Sequence, residues 1–205
     1  MFPEIFRDDV FRLETRRLWL RWPTARDESA IERFAGMEEV AAFTAMIPHP
    51  YPKGGAASFI YQSRVGNAQG SQLTFAIAPV TRAHEAIGVI SLRNEEGLLS
   101  LGYWVAPPCW GRGLMSEAVE ALVETTFQLT TVQTVHASAR EDNLASRRVL
   151  EKCGFAQTGK ATRHLPMRGR EHVCALYERQ RLDGVTRAFR DRSAGIRPDA
   201  LPKGI

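Results

Sequence analysis

Apolar and polar residues alternate along the stretch 17–22, and this period of two predicts a β-strand. A proline ends the strand, and Thr24 can cap a helix over about residues 25–36. A shorter helical pattern covers 38–43, and three prolines then interrupt the chain before a further helix at about 53–69. The first third of the chain therefore predicts one strand followed by two or three helices.

Three strand-like runs follow at 72–78, 85–93 and 98–106. Turn-forming residues separate them, and the sequence at 94–97 is a good hairpin connection. These runs predict an antiparallel meander. The first 13 residues carry no such pattern and are expected to form a lead-in arm.

Residues 114–129 form a long helical pattern with apolar positions on more than one side, so this helix is expected to be buried against more than one neighbour. A strand rich in β-branched residues follows at 132–139. A strand, a crossover helix and a second strand in one sheet form a parallel pair. The last strand of the meander is therefore expected to lie parallel beside the strand at 132–139.

The last predicted elements are a helix at 144–152 and a hairpin of strands at 155–162 and 172–178. Asn143 can cap this helix and Gly154 can end it. The whole pattern predicts an α/β (α+β) fold. Its centre is a mixed, mostly antiparallel sheet of six or seven strands, flanked by about four helices.

The net charge of +4 is concentrated at the end of the chain. From residue 181 onward, six basic and three acidic residues contribute +3, which leaves the rest of the protein close to neutral. We predict a single domain over 1–182 and a basic, loosely ordered tail over 183–205. A nucleic-acid-binding arm is the weaker interpretation, because no aromatic residues are interleaved with basic ones on the strands, and no nucleic-acid partner is expected.

The composition also bears on the cellular location of the protein. No run approaches the roughly 20 apolar residues of a membrane span, and the first residues lack the pattern of a secretory signal. The three cysteines are an odd number with no close pairing, which is typical of reduced thiols. We predict a cytoplasmic protein, without membrane contact, that is a monomer or a homodimer.

The turn between the strand at 98–106 and the helix at 114–129 contains Gly111-Arg112-Gly113. A turn of this type before a helix aims several backbone N–H groups at one point, to which the positive end of the helix dipole adds. Glycine lets a ligand approach the backbone and permits a positive φ, and Arg112 adds a positive charge. The turn suits a phosphate, although a Gly-x-Gly turn taken alone is a weak signal.

Three separated blocks make the chain resemble the GNAT superfamily of N-acetyltransferases, in particular the RimJ/RimL-like branch that acetylates the N-termini of ribosomal proteins. The first block is 14–21 followed by Asp27, the second is 102–118 and the third is 143–155. The resemblance spans roughly residues 14–179. It implies the GNAT fold, with the sheet splayed between the fourth and fifth predicted strands.

The resemblance also implies acetyl-CoA as co-substrate and no metal. Main-chain groups of the fourth strand would bind the pantetheine arm, the glycine turn would hold the pyrophosphate, and the cap of the later helix would reach the pantetheine. The implied acetyl-CoA residues are Tyr103, Trp104, Val105, Trp110, Gly111, Arg112, Gly113, Leu114, Met115, Ser116, Asn143 and Ser146. One departure is Pro108, which stands where the superfamily has Gln or Arg and removes one side-chain contact.

The implied reaction is direct attack of an amine on the thioester. Many family members use a tyrosine on the helix at 144–152 as proton donor to the thiolate, but that helix has none here. The resembling branch implies Ser146 in this role. His164 is the candidate base, while Glu171, Glu141, Asp142 and a water relay remain open.

We therefore expect an acetyl-CoA-dependent N-acetyltransferase that acts on a primary amine, either a protein N-terminal α-amine or a small-molecule amine. A noncatalytic acyl-CoA-binding sensor or regulatory module is the alternative. The acceptor pocket is expected between residues 25 and 69, opposite the hairpin that carries His164. Its candidate lining residues are Met46, His49, Tyr51 and Phe59.

Overall fold

The computed structural model describes residues 2–95 and 97–182. The predicted tail at 183–205 lies outside the described residues. Within the described ranges, no helix combines the length and the apolarity needed to cross a membrane. In chain order the elements are α1 (Glu4–Arg7), β1 (Arg12–Glu14), β2 (Leu18–Arg21), α2 (Glu28–Ala35), α3 (Glu38–Ala41), α4 (Gly55–Gln69), β3 (Gln72–Pro79), β4 (Gly88–Glu95), β5 (Leu98–Val105), α5 (Leu114–Leu129), β6 (Thr134–Arg140), α6 (Leu144–Lys152), β7 (Ala156–Leu165) and β8 (Arg170–Gln180).

The strands form one mixed sheet in the order β1-β2-β3-β4-β5-β6-β8-β7. All neighbours are antiparallel except β5 and β6, which are parallel, as the crossover through α5 predicts. The meander β3-β4-β5 and the final hairpin are confirmed. The sheet has eight strands rather than six or seven, because the last two residues of the expected lead-in arm and Glu14 pair with β2 as the short strand β1.

The pairing between β5 and β6 is short. Only Ser100 with His136 and Leu101 with Ala137 face each other in register, although both strands continue towards their carboxyl ends. The first residue beyond the paired segment is exposed on each strand: Gly102 on β5 and Ser138 on β6. The residue before it is buried on each strand, Leu101 on β5 and Ala137 on β6. The predicted splay between these two strands is confirmed.

The two faces of the sheet are covered by different helices. Tyr103 contacts α6 through its hydroxyl, whereas its neighbour Trp104 packs against a cluster of buried side chains from α2 and α4 that includes Ile31 and Ile60. Successive residues of a strand point to opposite faces, so α2 and α4 cover one face and α6 the other. The larger core lies on the α6 side, where α5 also packs. Its fully buried members include Leu20, Phe75, Ile90, Val119 and Leu122.

The turn into α2 is fixed by a buried ion pair. Asp27 is fully buried, and its two carboxylate oxygens accept hydrogen bonds of 2.7 Å each from the Arg21 guanidinium at the end of β2. The same carboxylate accepts from the Thr24 backbone N–H at 2.8 Å, which completes a capping box. The pair thereby joins the second strand to the first long helix.

We predict that Asp27→Ala lowers the free energy of unfolding by about 3–5 kcal/mol, because it leaves a mostly buried guanidinium without its counter-ion. Chemical denaturation measures the change. Asp9→Ala is the matched control, since Asp9 is 54% exposed in its pair with Arg64 and such pairs contribute only about 0–1 kcal/mol. Equal losses in the two variants would contradict the structural role assigned to Asp27.

Candidate active site

The turn after β5 presents an open surface of backbone N–H groups. Gly111 and Gly113 have φ angles of 71° and 70°, the left-handed region that glycine adopts without strain. A Cβ on Gly111 would meet nothing within 4 Å, so the space in front of the turn is clear. Gly113 occupies the N-cap position of α5 in this left-handed conformation, and no side chain caps the helix there. The first-turn N–H groups of the helix are therefore available to an anion.

The side chains around the turn mostly hold it in place. The Trp110 indole Nε1–H donates to the Val105 carbonyl at 2.7 Å and ties the turn to the end of β5. Met115 is buried in the core, so only its main chain can reach a ligand. Arg112 is exposed. Ser116 is partly buried, and its carbonyl accepts from the Cys153 thiol of α6 at 3.4 Å.

The segment before β2 provides a second anchor for the glycine turn, which the sequence patterns do not predict. The Arg17 guanidinium donates to the Arg112 carbonyl at 2.9 Å and to Glu117 Oε2 at 2.6 Å. Thr15 Oγ1–H and the Arg17 backbone N–H donate to Glu117 Oε1 at 2.6 and 2.8 Å. Because Arg17 holds a carbonyl of the glycine turn from behind, it fixes the direction in which the turn's N–H groups point.

The Glu117 carboxylate is charged in this anchor. Burial by itself would raise the pKa of Glu117, but the hydrogen bonds from Thr15 and Arg17 outweigh it and hold the pKa below its ordinary value. A lowered pKa in the folded protein means that the anchor stabilises the fold above the unfolded value of about 4.3. This contribution is lost as the pH falls through the folded-state pKa.

On the other side of the cleft, α6 begins at a capped turn. Asn143 Oδ1 accepts from the Ser146 backbone N–H at 3.0 Å, so the predicted helix cap is present. The Tyr103 hydroxyl lies 2.9 Å from Ser146 Oγ and 3.2 Å from the Ser146 carbonyl. Burial raises the pKa of the Tyr103 phenol well above its ordinary value, although the bond to Ser146 partly opposes this, so the phenol stays protonated. The family resemblance implies only a main-chain role for Tyr103.

The structure does not bring His164 into this group. Its side chain is exposed on β7, opposite Glu171 of β8, in the part of the hairpin that extends past the end of β6. The strand register directs it to the face that carries α6, while the buried Leu165 points to the other face. The role of His164 as a base stays a prediction that no contact in the described residues supports.

Two of the other carboxylates considered as bases, Asp142 and Glu141, are held by cations. The Arg140 guanidinium bonds Asp142 and holds the pKa of that carboxyl below its usual range, with a smaller contribution from His172. The Lys160 ammonium pairs with Glu141 and lowers the pKa of that carboxyl in the same way. Both groups therefore stay ionised and paired at neutral pH.

The opposite face contains the region predicted to receive the acceptor. Tyr51 and Phe59 pack with Trp104 and the buried side chains of α2 and α4, whereas Met46 and His49 are exposed. The loop after α3 meets the β7–β8 hairpin and the end of β6 directly. Three hydrogen bonds make this contact: Met167 N to the Ala45 carbonyl at 3.2 Å, the Arg168 guanidinium to the Ile47 carbonyl, and the Arg140 guanidinium to the Ala42 carbonyl at 2.7 Å.

A large cleft elsewhere on the protein is separate from these residues. It measures about 840 Å³ and lies between α4 and the outer strands β1 and β2. Trp22, Tyr61 and Arg64 line it, together with Arg12 and Arg21. None of the predicted site residues contributes to it.

A mixed sheet that opens beside a glycine turn at the start of a helix is the architecture of a GNAT acyltransferase. The family model described as an acetyltransferase (GNAT) domain matches residues 17–156, and the chain belongs to this family. The predicted family is thus confirmed, and acetyltransferases of this family take their acetyl group from acetyl-CoA.

Curated relatives include the "Putative ribosomal N-acetyltransferase YdaF" of Bacillus subtilis, 32% identical over 93 residues, which are 44% of this chain and 51% of that protein. YjcK of the same organism is 33% identical over 40% of this chain and 48% of its own length. The chain thus spans about half the length of these two relatives. YoaA, an uncharacterized N-acetyltransferase of the same organism, is 26% identical over 80% of this chain and 94% of its own length.

Solved structures share the fold over most of the chain. Mycobacterium smegmatis RimJ in complex with CoA-disulfide matches with a TM-score of 0.75 and 25% identity, covering 95% of this chain and 98% of that one. RimL, a ribosomal L7/L12 α-N-protein acetyltransferase in complex with coenzyme A, matches with a TM-score of 0.72 and 18% identity, covering 83% and 98%. The resemblance to RimJ/RimL-like acetyltransferases that the sequence predicts is confirmed by these similarities.

We predict that Arg17→Ala weakens the binding of coenzyme A about tenfold, equivalent to about 1.4 kcal/mol. The substitution releases the carbonyl that holds the glycine turn without removing any N–H group of the turn itself. Isothermal titration calorimetry measures the dissociation constant. Arg16→Ala changes the exposed neighbour and is expected to bind normally; equal weakening in both variants would show a general charge effect instead.

Proposed function

We propose that the protein is an acetyl-CoA-dependent N-acetyltransferase whose acceptor is the α-amine of a protein N-terminus. The observation that carries this proposal is the opening between β5 and β6. The glycine turn lies at the end of β5, and Ser146 lies on the helix that follows β6. A ligand with a pyrophosphate at one end and a thioester at the other fits between these two features.

The acetyl-CoA residues proposed from the resemblance fall into three groups around this opening. The main chain from Tyr103 to Val105 has no pairing to β6 and can hydrogen-bond an extended pantetheine arm. The N–H groups between Gly111 and Ser116 hold the pyrophosphate, with Arg112 beside them. Asn143 keeps its amide nitrogen for the pantetheine while its oxygen caps α6.

The reaction needs a neutral amine on the face covered by α2 and α4. The amine nitrogen forms a bond to the acetyl carbon, the carbon–sulfur bond breaks, and the amine releases one proton. Negative charge develops on the carbonyl oxygen, where a backbone N–H near Val105 can stabilise it. The sulfur leaves as a thiolate that accepts a hydrogen bond from the Ser146 hydroxyl.

An α-amine suits this site better than a lysine side chain. At pH 7 an amine with a pKa near 10.4 is only ~0.04% neutral, whereas an α-amine with a pKa near 8 is ~10% neutral. A site without a strong base therefore favours the α-amine. A polycationic small molecule is a weaker candidate, because Glu141 and Asp142 at the end of β6 are already paired with Lys160 and Arg140. The ribosomal names of YdaF and RimL support the same acceptor class.

A cytoplasmic location is consistent with an acceptor that is a newly made protein. Cys109, Cys153 and Cys174 are all free thiols, and no disulfide joins them. Reduced thiols are typical of the cytoplasm, which supports the cytoplasmic location expected from the sequence.

We predict that the protein releases free thiol from acetyl-CoA in the presence of peptides with a free N-terminus, and not with N-acetylated copies of the same peptides. Ser146→Ala is expected to lower kcat at least about tenfold, because the thiolate loses its hydrogen-bond donor. Thiol release is followed with a chromogenic disulfide, and the acetylated peptide is identified by mass spectrometry. Thr158→Ala removes an exposed hydroxyl from β7 as the control.

Two outcomes separate the proposal from its alternatives. Release with small amines but not with peptides would move the acceptor class to small molecules. Tight binding of acetyl-CoA with no release for any amine would support the noncatalytic sensor.

We predict that kcat/KM with a peptide rises with pH to a plateau, with a midpoint near the acceptor's own α-amine pKa of about 8. Because His164 is exposed, we expect the attacking amine to release its proton to water and not to this imidazole. His164→Ala is therefore expected to leave the pH profile unchanged and the rate within about twofold. Initial rates between pH 5.5 and 9 test this. A second inflection that His164→Ala abolishes would instead establish the imidazole as the base.

A further inference from the structure

Tyr103 and Ser146 form a pair of hydroxyl groups at the edge of the opening. The two oxygens are 2.9 Å apart, which is a normal hydrogen-bond distance for hydroxyls. Either oxygen can be the donor in this pair, and the phenol hydrogen has a second, more distant acceptor in the Ser146 backbone carbonyl at 3.2 Å. The direction matters, because a serine that donates to Tyr103 has no hydrogen left for a substrate atom.

We propose that Tyr103 is a positioning residue: its phenol O–H donates to Ser146 Oγ and leaves the serine hydrogen free to point at the sulfur of the leaving thiolate. This inference rests on the proposed function, which places Ser146 beside that sulfur. The Tyr103 side chain touches no reacting atom and acts only through Ser146.

The surroundings of Tyr103 favour this direction. The ring lies on the α6 side of β5 and packs against the main core. Burial raises the pKa of its phenol, so the group keeps its hydrogen across the physiological pH range. When a negative thiolate is present, the lower-energy arrangement places both hydrogens in a chain towards it, from Tyr103 to Ser146 and from Ser146 to the sulfur. Hydrogen bonds in such a chain polarise one another.

The step balances without a proton leaving Tyr103. The carbon–sulfur bond breaks and its electron pair stays on sulfur, which accepts the hydrogen bond from Ser146. The thiolate later takes a proton from solvent after the acetylated amine has formed. Tyr103 therefore changes the stability of the thiolate and not the stoichiometry of the reaction.

The test compares Tyr103→Phe with Tyr177→Phe. Tyr177 is a fitting control because it is also a buried tyrosine whose hydroxyl contacts α6, where it bonds Arg147 and Glu151 rather than Ser146. We expect Tyr103→Phe to lower kcat about tenfold with the KM for acetyl-CoA within about twofold. Tyr177→Phe is expected to keep kcat within about twofold. Adding Ser146→Ala to Tyr103→Phe is expected to cost less than Ser146→Ala costs alone.

A second measurement needs no acceptor. Coenzyme A itself is the probe, and the ultraviolet absorbance of its thiolate is titrated while it is bound. The wild-type protein is expected to bind the thiol with a pKa lower than that of free coenzyme A. Tyr103→Phe and Ser146→Ala are each expected to move this pKa back towards the free value, and Tyr177→Phe is not.

The outcomes distinguish this inference from the proposed function. A wild-type enzyme that acetylates peptides, with a bound-thiol pKa and a kcat that Tyr103→Phe does not change, overturns the role of Tyr103 alone. Normal shifts of the thiol pKa without turnover of any amine overturn the enzyme assignment but keep the hydroxyl pair. If Tyr103→Phe and Tyr177→Phe lower kcat equally, the tyrosine is structural and the inference is wrong.

Discussion

The rest of the site depends on the early end of the pairing between β5 and β6. A continuous ladder would satisfy the β5 backbone groups beyond Leu101 that point away from β4, apart from the Val105 carbonyl that accepts from Trp110, and would close the sheet to any ligand. Because the two strands diverge after Leu101 and Ala137, these groups need another partner. An extended pantetheine arm supplies alternating donors and acceptors along its length, much as a strand does. The early end of the β5–β6 pairing is thus the feature that suits the sheet to a ligand with a pantetheine arm.

The opening is useful only if its two ends are held at a fixed separation. At one end Arg17 and Glu117, which are 100 residues apart, tie the glycine turn and the start of α5 to the segment before β2. At the other end Asn143 caps α6. Since β2 pairs with β3 and onward through the meander, the Arg17–Glu117 bonds transmit the rigidity of the sheet to a turn that has few apolar contacts of its own.

Local patterns predicted most of the fold and part of the site. The period of two in β3 to β5 and the crossover through α5 are properties of short stretches, and so is the glycine turn that opens α5. The missed features are of another kind. β1 is too short to show a period, and the pairs Arg17–Glu117 and Tyr103–Ser146 join residues 100 and 43 positions apart. Whether the two residues of each pair come into contact depends on how distant elements pack together. Local patterns in a single sequence do not contain that information.

The dipeptide Tyr103-Trp104 shows how one strand can serve both substrates. Its two side chains point to opposite faces, the hydroxyl towards Ser146 and the indole towards α2 and α4. In the proposed reaction, the thiol end of the donor and the acceptor would therefore lie on different sides of the same sheet and would not compete for space. In the proposed reaction, an acetyl group that reaches through the opening would meet an amine that is already bound. This arrangement favours direct transfer in a ternary complex over a covalent acetyl-enzyme, because no step requires one substrate to leave before the other enters.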